Sequence, residues 1–316
     1  MCLENNFNQW CAMSFGAEFL NFVRTIGPSS RLRLAPTPSG FLHAGNALNF
    51  ILNWLAARLQ PGAKLLLRID DLDADRKRPA YIADIFEALA WLGLDWDEGP
   101  TSPADFDADW SQIQRMPLYT KALAQVQAAG FVYACAKSRR DLAPFGGHYP
   151  LEFRDQHLPL DTPHVAWRAF TPSEFSLSDF IVRRRDGVPA YQLASLVDDL
   201  HFGVSHIIRG QDLWPSTVAQ QWLAKQLGWV GFQEICFLHH PLIMDDQGEK
   251  LSKSAGATAL RSLYTGLPHP SNQAGTAGPE MVFKQVAALL NLPTESIRTA
   301  DNLLRLLGLA LPTLRT

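Results

Sequence analysis

Residues 31–59 read RLRLAPTPSGFLHAGNALNFILNWLAARL. Leu32 and Leu34 alternate with arginines as in a strand, a Pro/Ser/Gly turn follows, and Leu48, Ile51, Leu52, Leu55 and Leu59 recur at helical spacing. The stretch predicts strand, tight turn and helix. The turn carries His43, Gly45 and Asn46 where the helix should begin, so free backbone N–H groups and the positive end of the helix dipole are expected to face whatever lies above the strand. Such a place suits a phosphate. Gly40 and Gly45 permit a ligand to approach the backbone, and His43 can donate to a phosphate oxygen. Taken alone, the pattern fits an ordinary capped helix equally well.

Working outward, KLLLRIDDLDADR from Lys64 predicts a second strand ending in acidic residues, and Pro79 opens an amphipathic helix to about Leu92. Strand, helix, strand, helix implies a parallel sheet, whose ligands lie beyond the C-terminal ends of the strands. Thr37, His43, Asp70 and Asp71 all fall there. Far along the chain, a strand expected from Phe237 to Met244 precedes EKLSKSAG, which sets Lys250, Ser252 and Lys253 among small residues. Two lysines on such a loop can neutralise a triphosphate.

The 316 residues are 47% hydrophobic, enough for a substantial core, and the net charge of −3 gives no global basic footprint. Any nucleic-acid contact must rest on local patches, of which Arg139 with Arg140, and Arg183 to Arg185, are the best. Cys2, Cys11, Cys135 and Cys236 show no CxxC pair or small-protein disulfide pattern, which fits a reducing, cytoplasmic compartment. No signal peptide, membrane span or internal repeat is apparent.

PTPSGFLHAGN followed by KLSKS resembles the two signatures of class I aminoacyl-tRNA synthetases, and RIDDLDADR resembles the RIEDLDPPR run of their glutamyl branch. The resemblance covers roughly Arg31 to Leu260. It implies an α/β fold: a Rossmann-like parallel-sheet catalytic domain with an inserted α+β acceptor-type subdomain and a short helical C-terminal tail. The expected order is an extension over 1–30 with a short helix from Phe15 to Val23, catalytic halves over 31–130 and 191–265, the insert over 131–190, and linker plus tail over 266–316. A helix from about Pro117 to Ala129 leads into the insert. By this match His43, Lys250 and Lys253 are catalytic, and Thr37, Gly45, Asn46 and Ser252 join them in holding ATP with its Mg²⁺. Arg33, Ala35, Thr37, Asp70, Tyr191 and Arg209 line a glutamate pocket, with Arg209 and Arg33 on the carboxylates. Asp70 replaces the branch's Glu, and the missing methylene shortens its reach by about 1.5 Å, a gap that a water can bridge. Asp212 is expected to orient its turn, and Ser216 and Thr217 to cap or begin a helix.

Relatives often bind zinc in the insert through a CxC pair, a tyrosine, and a cysteine four positions later. Here Cys135 and Tyr149 match, while Lys137 and Phe153 replace the other cysteines. A protonated ammonium cannot ligate, so no zinc is expected, with packing around Phe153 in its place; His148 or His157 beside Cys135 is the one alternative. YQLA, VDD, IRG and the D-L-x-x-S-T helix start look like the glutamyl-Q tRNA(Asp) synthetases, where standard glutamyl enzymes tend to have YNFA and RGEDH. The short stretch after Lys253 points the same way, since it cannot hold an anticodon-binding domain. That relationship implies a monomer that activates glutamate without tRNA and transfers it to queuosine on the anticodon arm of tRNA(Asp). A truncated glutamyl-tRNA synthetase, a non-catalytic paralogue that binds RNA or nucleotide, and a nucleotidyltransferase with a small acceptor remain the alternatives.

Overall fold

The computed structural model describes residues 14–146, 149–154, 157–172, 177–242, 260–265 and 278–310. In chain order its main elements are α1 (Phe15–Thr25), β1 (Arg31–Leu34), α2 (Ala44–Arg58), β2 (Lys64–Leu67), α3 (Pro79–Leu92), α4 (Met116–Ala128), β3 (Val132–Cys135), β4 (Ala166–Ala169) and β5 (Ile181–Arg183). There follow α5 (Tyr191–His201), β6 (His206–Gly210), α6 (Trp214–Leu227), β7 (Cys236–His240), α7 (Leu260–Thr265), α8 (Glu280–Leu289) and α9 (Ala300–Ala310). The chain divides into two units. One holds the residues up to Ser111, Ser205–Asp212 and those from Cys236 onward; the other holds Gln112–Val204 and Leu213–Ile235.

In the first unit β1 pairs in parallel with β2 and β6 with β7. A parallel bridge between Leu66 and Glu98 adds a further edge beside β2. β6 runs beside β1, joined to it where Ser205 N–H donates to Arg31 O (3.0 Å), but the two form no ladder among the described residues. The parallel sheet therefore opens between its two halves, at the place where doubly wound folds bind ligands. Leu32, Leu34, Leu65 and Leu67 are fully buried, and α2 contributes Leu48, Ile51, Leu52 and Leu55 to the same core. Each such side chain contributes about 1.5–3 kcal/mol by leaving water.

Two outer segments belong to this core. Phe19, Phe22, Val23 and Ile26 of the expected N-terminal extension pack in it, and Thr25 Oγ1 lies 3.2 Å from His206 Nε2. Of the expected tail, Val282, Phe283, Val286, Ile297, Leu303 and Leu307 are buried in it too. The apolar faces of α1, α8 and α9 thus find their partners inside the unit.

The second unit is α+β, with an antiparallel sheet in the order β3-β4-β5. As a compact unit it is wider than the insert expected over 131–190: it begins at Gln112 and takes in α5 and α6 as well. The reason is Asp198 on α5. Its buried carboxylate accepts from Gln112 Nε2 (2.9 Å), Arg115 Nε (2.8 Å) and Nη2 (3.1 Å), and Tyr119 Oη (2.7 Å), binding α5 to α4 and its approach. A second hub, Asp179, joins Arg154, Tyr133 and Thr171. Burial opposes the Asp179 charge, yet the hydrogen bonds from Arg154 and Tyr133 hold its carboxyl below the usual range.

Candidate active site

The ladder of β1 and β2 continues past both strands. Arg68 N–H donates to Leu34 O (2.8 Å) and Asp70 N–H to Pro36 O (2.9 Å). In-register pairing of parallel strands thereby brings Asp70 opposite Pro36 and beside Ala35 and Thr37, with Arg33 just behind on β1. Arg33, Asp70 and Arg209 are all buried, at 4%, 6% and 2% exposure. Charged groups enter such surroundings only when paired, and Asp70 shows how. Arg68 Nε meets its Oδ1 at 2.7 Å and Arg68 Nη2 its Oδ2 at 3.1 Å. The sequence reading missed Arg68. Its signal was there, because residues two apart on an extended chain lie on one side, and R-x-D at a strand end sets guanidinium and carboxylate together.

His43 is the N-cap of α2. Its Nδ1 accepts from Gly45 N–H (3.1 Å), and Asn46 Oδ1 accepts from His43 N–H (3.1 Å), a reciprocal capping box. The expectation of free N–H groups at this helix start is thus corrected for Gly45, whose donor goes to the cap. What Gly45 supplies is space: a Cβ there would stand 3.0 Å from His43 Cε1 and 3.1 Å from Nδ1, crowding the ring that folds back over the helix. With Nδ1 accepting, the neutral ring carries its proton on Nε2, the tautomer that donates outward. Leu42 holds this turn from beneath, its N–H donating to Asp84 Oδ2 of α3 (2.8 Å).

Arg209 lies on β6 opposite His239 of β7, its guanidinium 5.1 Å above the Phe237 ring. Burial, and then the Arg209 charge, push His239 down to about 3, so it is neutral at physiological pH. Next to it, a Cβ on Gly210 would come 2.4 Å from Asp212 Oδ1, so a side chain there would displace that carboxylate. That proximity fits the expected turn-orienting part for Asp212. Tyr191 opens α5 in the second unit and is 40% exposed. Trp214 begins α6 with Pro215 in its first turn, so Ser216 and Thr217 lie within that turn, and neither is its N-cap.

Lys250, Ser252 and Lys253 lie outside the described residues. Both flanks of their segment are bonded to α2 or to the turn before it. On one side His240 Nε2 lies 3.3 Å from Asn49 Nδ2; on the other Leu260 N–H donates to Leu42 O (2.8 Å), with Arg261 5.1 Å above the Phe41 ring.

In the second unit the described residues aligned with a zinc site lie together. Cys135 Sγ is 3.1 Å from Tyr149 Oη, which also donates to Phe153 O (2.8 Å). Lys137 Nζ stands 4.5 Å above the Phe153 ring, and the Tyr149 and Phe153 rings meet edge to face at 5.9 Å. Burial and the Cys135 hydrogen bond raise the Tyr149 phenol above its ordinary range, which opposes the phenolate a metal would want. His148 lies outside the described residues, and no three His, Cys, Asp or Glu side chains converge on a metal-sized site among the described ones.

Residues 29–144 and 165–273 match the family model for class I tRNA synthetases (E and Q), catalytic domain. The chain is 40% identical over 256 residues to a glutamyl-Q tRNA(Asp) synthetase of Prochlorococcus marinus (strain MIT 9303), covering 78% of this chain and 79% of the relative. It is 38% identical over 292 residues to the protein of that name from Symbiobacterium thermophilum, covering 82% and 86%. A glutamate–tRNA ligase of Synechococcus sp. (strain JA-3-3Ab) is 34% identical, and the match spans 73% of this chain but 53% of the ligase. The crystal structure of glutamate–tRNA synthetase from Elizabethkingia anophelis superposes with a TM-score of 0.67 at 24% identity, over 88% of this chain and 65% of that one, and shows the shared fold.

Proposed function

Since the chain belongs to the class I tRNA synthetases of the glutamate and glutamine group, we propose that it activates glutamate with ATP and passes the glutamyl group to the queuosine base of tRNA(Asp). The observation that carries this reading is the continued β1–β2 register, which sets Asp70 beside Ala35 and Thr37 on the sheet edge shared by Arg33 and Arg209. Arg33 and Arg209 offer positive charge to the two carboxylates of an acidic amino acid, and Asp70, paired with Arg68, offers a negative one to its ammonium. In this reading Arg209 grips the side-chain carboxylate through a planar fork, Arg33 is its partner on the carboxylates, and Asp70 receives the ammonium, directly or through a water. The family resemblance assigns Tyr191 to the substrate's amino group.

Activation joins the α-carboxylate of glutamate to the α-phosphorus of ATP, forming one P–O bond and breaking another as pyrophosphate leaves. Positioning and charge stabilisation do the work, not acid–base chemistry. His43 donates through Nε2 to a phosphate oxygen, Thr37, Gly45, Asn46 and Ser252 complete the ATP cradle, and Lys250 and Lys253 neutralise the departing pyrophosphate. Mg²⁺ arrives on the ATP phosphates. In the second step a hydroxyl of the queuosine cyclopentene diol attacks the glutamyl carbonyl and AMP leaves. The exposed Arg140 and Arg185 and the half-buried Arg183 and Arg184 of the second unit are the phosphate contacts proposed for the RNA. The insert does without zinc, because an ammonium and a phenyl ring replace two thiolates.

Amino-acid-dependent ATP–pyrophosphate exchange without tRNA tests the first step, and glutamyl transfer to tRNA(Asp) with and without queuosine tests the second. Exchange with glutamate, weak exchange with aspartate and glutamine, and transfer only to the queuosine-bearing tRNA are expected. Exchange that requires tRNA, with transfer to a queuosine-free 3′ end, would instead mark a glutamate–tRNA ligase, the second reading that the 34% identical relatives favour.

A further inference from the structure

In β6 the residues alternate between neighbours. Cys236 N–H donates to Ser205 O (3.0 Å), so the parallel pattern directs the Ser205 carbonyl and the backbone groups of residues 207 and 209 to β7 and those of Ile208 to the β1 side. A continuous sheet would satisfy the Ile208 carbonyl with a β1 amide. Here the sheet is open, and the carbonyl accepts instead from two side chains of α2, Asn49 Nδ2 (3.0 Å) and Asn53 Nδ2 (3.1 Å). A buried backbone acceptor demands such a partner.

The cost of this arrangement shows that the donors matter. Asn53 is fully buried and spends its N–H groups on Ile208 O and Asn49 O (2.9 Å), and its Oδ1 has no hydrogen-bond partner. A buried acceptor left in this way costs about 1–3 kcal/mol. Asn49 is held in turn. Its Nδ2 lies 3.3 Å from His240 Nε2, and His240 Nδ1 lies 2.9 Å from Pro241 O. A carbonyl can only accept, so the Nδ1 proton goes to Pro241 and Nε2 offers its lone pair to Asn49. This fixes which way the Asn49 amide faces, since a reversed amide would aim its oxygen at both Ile208 O and Nε2.

We propose that His240 and Asn49 are positioning residues for the amino acid: the imidazole fixes the Asn49 amide, the amide holds the Ile208 carbonyl, and the next residue, Arg209, is thereby set in the opening between β1 and β6. Asn49 stands on the helix that His43 caps, so one rigid element registers the nucleotide end of the site against the Arg209 strand. Burial keeps the His240 pKa below its ordinary value, which preserves the accepting lone pair, while the bond to the Pro241 carbonyl and the Asp212 charge favour a proton there. The inference rests on the reading of Arg209 as the glutamate-carboxylate ligand.

The test is pyrophosphate exchange with the KM for glutamate and for ATP measured separately in His240→Leu, Asn49→Ala, the double variant, His240→Gln and, as a control on the parent reading, Arg209→Lys. Loss of one oriented hydrogen bond predicts that His240→Leu raises the glutamate KM by about 3- to 10-fold while the ATP KM stays within about twofold. Asn49→Ala should do the same, and the double variant should be no worse than the poorer single one, because both act through one chain of bonds. His240→Gln, whose amide oxygen still accepts, should recover most of the loss. A merely structural role would raise both KM values together, with additive effects, and would overturn the inference. An unchanged glutamate KM in His240→Leu with a raised one in Arg209→Lys overturns the inference alone. An unchanged value in Arg209→Lys overturns the Arg209 reading and the inference with it. Should His240→Leu not fold, Asn49→Ala against Arg209→Lys decides the same question.

Discussion

Asp70 and Asp198 each meet an arginine through two hydrogen bonds in nearly the same geometry: 2.7 and 3.1 Å from Arg68, 2.8 and 3.1 Å from Arg115. Their places in the chain differ entirely. Arg68 is two residues from Asp70 on one extended segment, so their pairing ties together nothing distant. Arg115 is 83 residues from Asp198, and Gln112 and Tyr119 converge on the same carboxylate. The first pair sets the direction and charge of a side chain at a strand end; the second closes a long loop and holds helices together. Identical local chemistry therefore stands at the proposed site in one unit and in the scaffold of the other, and sequence separation is what tells them apart.

The comparison breaks most sharply on removing each carboxylate. Asp198→Ala leaves the Arg115 guanidinium buried without its partner, which should destabilise the second unit by about 3–5 kcal/mol, seen as a lowered urea midpoint. Asp70→Asn should act chiefly on function. We expect the glutamate KM to rise by about tenfold or more, with a smaller loss of stability than Asp198→Ala gives; equal losses of stability in the two variants would erase the distinction. The smallest effect belongs to the knuckle of the second unit. Lys137→Met removes the cation above the Phe153 ring and should cost about 0.5–1 kcal/mol, read as a small shift in the same urea midpoint, with chelator leaving the midpoint of both proteins unchanged.

Much of the first unit was legible in the residues. Alternation at Leu32 and Leu34, helical spacing from Leu48, and Pro79 opening α3 follow from short-range geometry, and the structure has these elements at those positions. Cys135, Tyr149, Lys137 and Phe153, which the resemblance grouped, also meet. The extent of the second unit was not legible, because the Asp198 hub draws on residues far apart in the chain. Nor was the place of α1, α8 and α9 in the core, because an amphipathic face announces that it will be buried without saying against what.

The sequence by itself determined the strand–turn–helix units, the polar residues at their ends and, through PTPSGFLHAGN, RIDDLDADR and KLSKS, the family. Those are statements about near neighbours and fixed spacings, which backbone geometry converts directly into position. The tertiary structure alone decided that His43 spends one nitrogen on the Gly45 N–H and that Asn49, Asn53 and His240 together hold the Ile208 carbonyl. A hydrogen bond between groups about 190 residues apart exists only once the sheet has opened between β1 and β6 and a buried carbonyl there has to be satisfied.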